Sequence, residues 1–229
     1  MQLNNRFSAR SVPPVTMHLL IINALMWLAS MACLRYGVDL FRWLGLHFWQ
    51  ASDFNIAQFF TYMFLHDTSS FSHILVNMFM LWMLGGVIER TLGAKRYLFY
   101  YITCGLGAAL LQELVWQFTL PSIMNDIAAA GMYLPLNDVV SVGASGAVFG
   151  IMLAFGMFYP NVNMYVIPFP FPIKAKWLVI GYGLIELFFG VSHIMPGVGH
   201  FAHLGGMITG ILLILYWKHN GTIRRNDFY

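Results

Sequence analysis

Charge is what this sequence has least of. Only 9% of its 229 residues are Asp, Glu, Lys or Arg, against 59% hydrophobic and 17% aromatic. So few charged side chains cannot coat a soluble globule of this size, and the composition requires a bilayer as solvent. Cysteine is nearly absent as well. Cys33 and Cys104 stand far apart in apolar runs, which argues against a disulfide framework or a Cys-based metal site and leaves them as packing residues. No Pro/Ser-rich linker, charged block or internal repeat divides the chain, so a single membrane domain over residues 1–229 is expected, with short N- and C-terminal tails. The net charge of +3 is scattered in twos and threes and forms no patch for nucleic acid.

What remains is a succession of apolar segments, at about 15–34, 72–87, 97–118, 145–158, 177–191 and 201–217. They predict an all-α, polytopic membrane protein with six transmembrane helices, several shorter than the usual span of ~20 residues. The first follows an arm carrying Arg6 and Arg10 and has no small-residue cleavage site before Arg35, so it reads as a retained signal anchor. The aromatic stretch from Phe41 to Trp49 reads as an amphipathic element in the interface. With six spans, Arg6, Arg10, Arg90, Lys95, Arg96, Lys174, Lys176, Lys218, Arg224 and Arg225 fall on one side, and only Arg35 and Arg42 on the other. That asymmetry predicts cytoplasmic termini in a plasma or inner membrane.

The second, fourth and sixth helices then enter from the outer side. Their outer ends read Ser72-His73-Ile74-Leu75-Val76-Asn77, Gly143-Ala144-Ser145-Gly146-Ala147 and Gly199-His200-Phe201-Ala202-His203-Leu204-Gly205-Gly206. Polar side chains in hydrocarbon are costly unless paired or facing a wet cavity, so a cluster at one depth is a functional signal. A serine hydroxyl becomes nucleophilic when an imidazole takes its proton, and Ser145 with His203 supplies such a pair. His73 and Asn77, at i and i+4, share a helix face from which they can donate to an oxyanion, as can the N–H of Ser145. Gly146 and Gly150 on one helix, with Gly206 and Gly210 beside His203 on another, predict close packing of helices four and six. Helix four has room for only ~21 Å of rise against a hydrocarbon core of ~30 Å, which sets Ser145 below the outer surface.

Gly143-Ala144-Ser145-Gly146, His73 with Asn77, and Ala202-His203-Leu204-Gly205-Gly206-Met207-Ile208-Thr209-Gly210 together resemble the rhomboid family of intramembrane serine proteases, over nearly the whole chain. The resemblance implies that Ser145 is the nucleophile and His203 the general base, that His73 and Asn77 are oxyanion donors, and that no third acid completes the pair. It implies transmembrane protein substrates cleaved near the outer face, with no cofactor and no metal. Glu89 matches a family glutamate of structural role. One departure is Ala57-Gln58, standing where the family often has Trp-Arg in the first loop.

Each piece has a plainer reading. A lone membrane serine commonly bonds the carbonyl four residues back. His200 competes with His203 as the base, and lies a turn nearer the cavity mouth. Glu186, an acid in the fifth span, reads as a bonded structural group. A metal hydrolase is the first rival, prompted by His200 and His203, but His-Glu-x-x-His is missing. A non-catalytic rhomboid-like protein that binds client helices is the second.

Overall fold

The computed structural model describes residues 11–165, 171–192 and 199–223. Arg6, Arg10, Arg224 and Arg225, used above to orient the chain, lie outside the described residues. The first span is α1 (Pro14–Arg35), with proline in the first turn, where its missing N–H costs nothing, and Arg35 in the last turn. It leads to α2 (Leu40–Leu44), β1 (Leu46–His47) and α3 (Gln58–Thr61). Within the aromatic stretch Phe41–Trp49, α2 stops at Leu44 and the chain continues extended to pair Leu46 and His47 with Ser141 and Val140.

The second span runs from Phe71 to Leu92, as α4 (Phe71–Met80), a π-helical turn (Leu81–Gly85) and α5 (Gly86–Leu92). Next, α6 (Ala94–Ala129) passes the end expected at Phe118 and carries Pro121 inside it. Its 36 residues rise ~54 Å, more than the hydrocarbon thickness. After β2 (Val140–Ser141) comes α7 (Ser145–Phe158), with the bounds expected for the short fourth helix. The short ladder β3 (Asn163–Met164) with β4 (Ile173–Lys174) leads to α8 (Ala175–Ser192), and the last helix is α9 (His200–His219). Among the described residues, five helices are long and apolar enough to cross a membrane and α7 is a shorter apolar sixth, so the chain is a multi-pass integral membrane protein.

Their arrangement follows from side-chain size. Large apolar residues of α1 and α8 face outward, among them Leu25, Leu28, Leu184 and Phe188, as a lipid-facing surface requires. By contrast α7 is buried along most of its length. It can sit at the centre because glycines let its neighbours come close to its backbone: a Cβ added at Gly206 of α9 would overlap the carbonyl of Gly146, and one at Gly150 would meet the Cys104 side chain of α6 at 2.6 Å. The expected Gly146/Gly150 packing against α9 is present, whereas Gly210 faces Tyr100 and Cys104 of α6 instead. Cys33 and Cys104 are both free thiols.

Buried tyrosines fasten this centre. The hydroxyl of Tyr100 donates to the Gly150 carbonyl (2.8 Å) and that of Tyr62 to the Gly105 carbonyl (2.7 Å), linking elements that apolar contacts alone would let slide. At the opposite end of the second span, Glu89 accepts from the Val15 N–H (3.0 Å), the Thr16 N–H (2.7 Å) and the Thr16 hydroxyl (2.7 Å). A carboxylate there satisfies orphan donors at the start of α1 and meets the positive end of its dipole, which is the structural role expected of Glu89.

Candidate active site

Three helix beginnings meet at the site. Ser145 is the first residue of α7, while His73 and His203 lie in the first turns of α4 and α9. Gly143, two residues before the serine, has φ +135°, a region that suits glycine, and its N–H donates to the Tyr62 carbonyl at 3.0 Å. The chain is thus turned sharply into α7 and pinned to the first loop. By helix geometry the first N–H groups of α7, that of Ser145 included, have no partner within the helix.

Ser145 Oγ stands 2.8 Å from His203 Nε2. The imidazole of His203 stacks flat on Phe149, with centroids 4.2 Å apart and planes 6° apart. Phe149 did not figure in the sequence reading, although its spacing of four from Ser145 puts the two on one face of α7. His203 Nδ1 lies 3.0 Å from Glu186 Oε2, at ion-pair distance but without the alignment of a hydrogen bond. The same oxygen is 2.7 Å from His200 Nδ1. All three side chains are largely buried, with Glu186 at 8% exposure and His200 at 7%.

Two features go beyond the expected arrangement. His200, one turn before His203 on α9, is buried, bonded to Glu186 and set edge-on to Phe189. A carboxylate from the fifth span also lies beside the serine–histidine pair, for which the resemblance implies no third acid. Glu186 is a bonded group as read, but its partners are the two histidines that compete for the role of base. The donor atoms of Glu186, His200 and His203 all lie within 4.8 Å of one another, a set of two nitrogens and one oxygen that could hold zinc.

Of the side chains expected as oxyanion donors, His73 lies near Ser145 across Gly143. A Cβ built at Gly143 would be 3.0 Å from His73 Nε2 and 3.6 Å from Ser145 Oγ, so both groups look onto the same space. The Asp67 N–H donates to His73 Nδ1 at 3.2 Å, which leaves Nε2 as the protonated nitrogen of the neutral ring and aims a donor at that space. Asn77 is committed differently, since its Nδ2 donates to the His73 carbonyl at 2.8 Å, leaving one N–H of the amide for other partners.

The first loop is fastened beside the site. Gln58 is 1% exposed; it accepts from the His47 N–H (3.3 Å) and donates to the carbonyls of Asp53 (2.9 Å) and Trp43 (3.4 Å). In place of Trp-Arg, an amide therefore ties the loop internally. Trp49 anchors it to α6 through Glu113, which accepts from its N–H at 2.9 Å, and Gln117, which accepts from its indole at 2.7 Å. On the exposed side, the hydrogen bond from Arg42 (2.7 Å) holds the Asp53 carboxyl below the usual carboxylate range. His66 lies in the following segment with both ring nitrogens unpaired among the described residues, and burial pushes its pKa down to about 3.

The sequence is similar to proteins of one family. A family model described as "Rhomboid domain" matches residues 53–219. RHOMBOID-like protein 4 of Arabidopsis thaliana is 30% identical over 159 residues, 68% of this chain and 34% of that protein. Rhomboid protease AarA of Providencia stuartii is 31% identical over 156 residues, 66% of this chain and 52% of that protein. Rhomboid-type serine protease 2 of Emericella nidulans is 29% identical over 156 residues, 66% of this chain and 25% of that protein. The chain thus spans about half or less of the length of these relatives. With the family model covering most of the sequence and the helical membrane bundle built to match, the chain belongs to the rhomboid family.

Proposed function

We propose that this protein is an intramembrane serine endopeptidase that cleaves transmembrane-helix substrates near the outer face of the membrane. The observation that carries the reading is the 2.8 Å approach of Ser145 Oγ to His203 Nε2. In this mechanism the serine proton passes to Nε2 as Oγ bonds to the carbonyl carbon of the scissile amide, and the carbonyl π pair moves onto oxygen. His73 Nε2–H, the N–H of Ser145 and the free N–H of Asn77 receive that oxyanion. Collapse of the intermediate breaks the C–N bond, with the proton on His203 going to the leaving nitrogen. A water molecule then gives a proton to the same Nε2 as its oxygen bonds to the ester carbon, and collapse breaks the carbon–Oγ bond with that proton returning to Oγ.

The substrate helix has to unwind locally, because a peptide bond within a helix is shielded by its own turn and hydrogen bonds. One membrane domain with both termini in the cytoplasm, in a plasma or inner membrane, completes the reading, and the lysine and arginine asymmetry supports it. The direct test is cleavage of a reporter transmembrane substrate by purified protein and by Ser145→Ala. Cleavage by wild type alone is expected; equal cleavage by the variant excludes Ser145 as nucleophile. No cleavage by either form favours the non-catalytic, client-binding alternative.

A metal-assisted hydrolase is the second reading, favoured by the Glu186, His200 and His203 donor set. It predicts activity lost to a chelator and restored by zinc. The serine reading predicts activity indifferent to the chelator and stopped by a fluorophosphonate.

A further inference from the structure

We propose that Glu186 is a positioning residue for His203, holding the imidazole in the orientation and tautomer in which Nε2 serves Ser145. The proposal rests on the serine–histidine reading and adds to it a group from a third helix. Its origin is a gap in what the other contacts accomplish. Phe149 fixes the plane of the His203 ring, but a flat stack survives a half-turn of that ring about Cβ–Cγ, which keeps the plane and carries Nε2 away from the serine. Only a contact at the ring edge distinguishes the two orientations.

Glu186 supplies that edge contact, with Oε2 3.0 Å from Nδ1. A carboxylate accepts and does not donate, so it favours the proton on Nδ1 and leaves the Nε2 lone pair for the serine hydroxyl. When Nε2 takes the serine proton, the imidazolium formed has its compensating charge already in place. No atom of Glu186 changes partner by covalent chemistry, and no proton needs to reach it.

The carboxylate is itself anchored. His200 Nδ1 meets the same oxygen at 2.7 Å, and the His200 ring is braced edge-on by Phe189 at 5.8 Å. Gly190, one turn beyond Glu186 on α8, makes this approach possible, since a Cβ there would meet the Phe201 ring at 3.1 Å and the His200 Cβ at 3.3 Å. The competing histidine thus takes a second role as clamp on the acid.

The test compares wild type, Ser145→Ala, Glu186→Gln and Glu186→Asp as full-length protein in proteoliposomes. For each, kcat and KM on the reporter substrate, the melting temperature and the rate of fluorophosphonate labelling are measured. Glu186→Gln, close in shape, is expected to lower kcat by roughly 10²- to 10⁴-fold, the upper figure being the loss when a triad aspartate becomes an amide. KM and melting temperature should stay near wild type, a split that a purely structural role would not give. Labelling of Ser145 should slow in parallel. Glu186→Asp keeps the charge but shortens its reach, and should recover part of the lost kcat.

A folded Glu186→Gln protein with wild-type kcat overturns the proposal. If that variant cannot be recovered folded, Glu186→Asp decides: a reduced kcat at constant KM supports the proposal, and a wild-type kcat overturns it. Ser145→Ala cleaving as well as wild type sinks the underlying serine reading instead, so the two failures are distinguishable.

Discussion

Two buried carboxylates hold opposite ends of this bundle, and they do different work. Glu89 is 3% exposed and bonds two backbone N–H groups and a hydroxyl at the start of α1. Glu186 is 8% exposed and meets two imidazoles in the first turn of α9. The partners of Glu89 neither gain nor lose protons at neutral pH, so its environment is static. Those of Glu186 are ionisable imidazoles. A buried acid in a membrane helix therefore does not declare its role by its own identity; the protonation chemistry of its partners does.

This contrast breaks first at the histidines. His203→Ala should abolish fluorophosphonate labelling of Ser145, because the probe needs an activated hydroxyl and no base remains within reach. His200→Ala should only slow labelling, since it loosens Glu186 without removing Nε2. Reversed results would move the base one turn along α9.

A smaller loss is expected at the oxyanion side, where Asn77→Ala should cost at most about 2.7–4 kcal/mol of transition-state stabilisation. Because one Asn77 N–H is already given to the His73 carbonyl, a deficit in kcat/KM equal to that of Ser145→Ala would assign Asn77 a different task.

The structural end should respond in the other currency. Glu89→Ala leaves the Val15 and Thr16 donors without their acceptor and should lower unfolding stability by about 1–3 kcal/mol. The kcat of the fraction still folded should remain at the wild-type value. A kcat loss without a stability loss would erase the distinction between the two acids.

The smallest effect concerns pH. With its pKa pushed down to about 3 in the fold, against about 6.5 in an unfolded chain, His66 binds fewer protons folded than unfolded. Its contribution to stability is therefore complete above pH 6.5 and is lost as the pH falls from there towards 3. Melting temperatures should decline over that window, and His66→Gln should flatten the decline.

Much of this molecule is written in local sequence. The six apolar segments, the bounds of α7 at Ser145 and Phe158, and the Gly146/Gly206 contact all follow from hydropathy and residue size, which act over a few turns. Locality falls short at Phe118, which α6 passes to end at Ala129 with its Glu113 and Gln117 bonded to Trp49 of the first loop, and it does not reveal the pairing of Leu46 and His47 with Ser141 and Val140.

The site divides along the same line. Serine, two histidines and an asparagine at three helix ends announced themselves because polar groups in hydrocarbon need a reason to be there. The sequence already pointed to His203 beside Ser145; what braces its ring and which acid stands behind it were decided by helix crossings. Glu186 is 17 residues before His203 in sequence and on a different helix, and no pattern along one chain segment encodes the rotation of α8 against α9. That rotation is set by the glycines and aromatics packed between the helices, and only the folded bundle brings the carboxylate to within 3.0 Å of Nδ1.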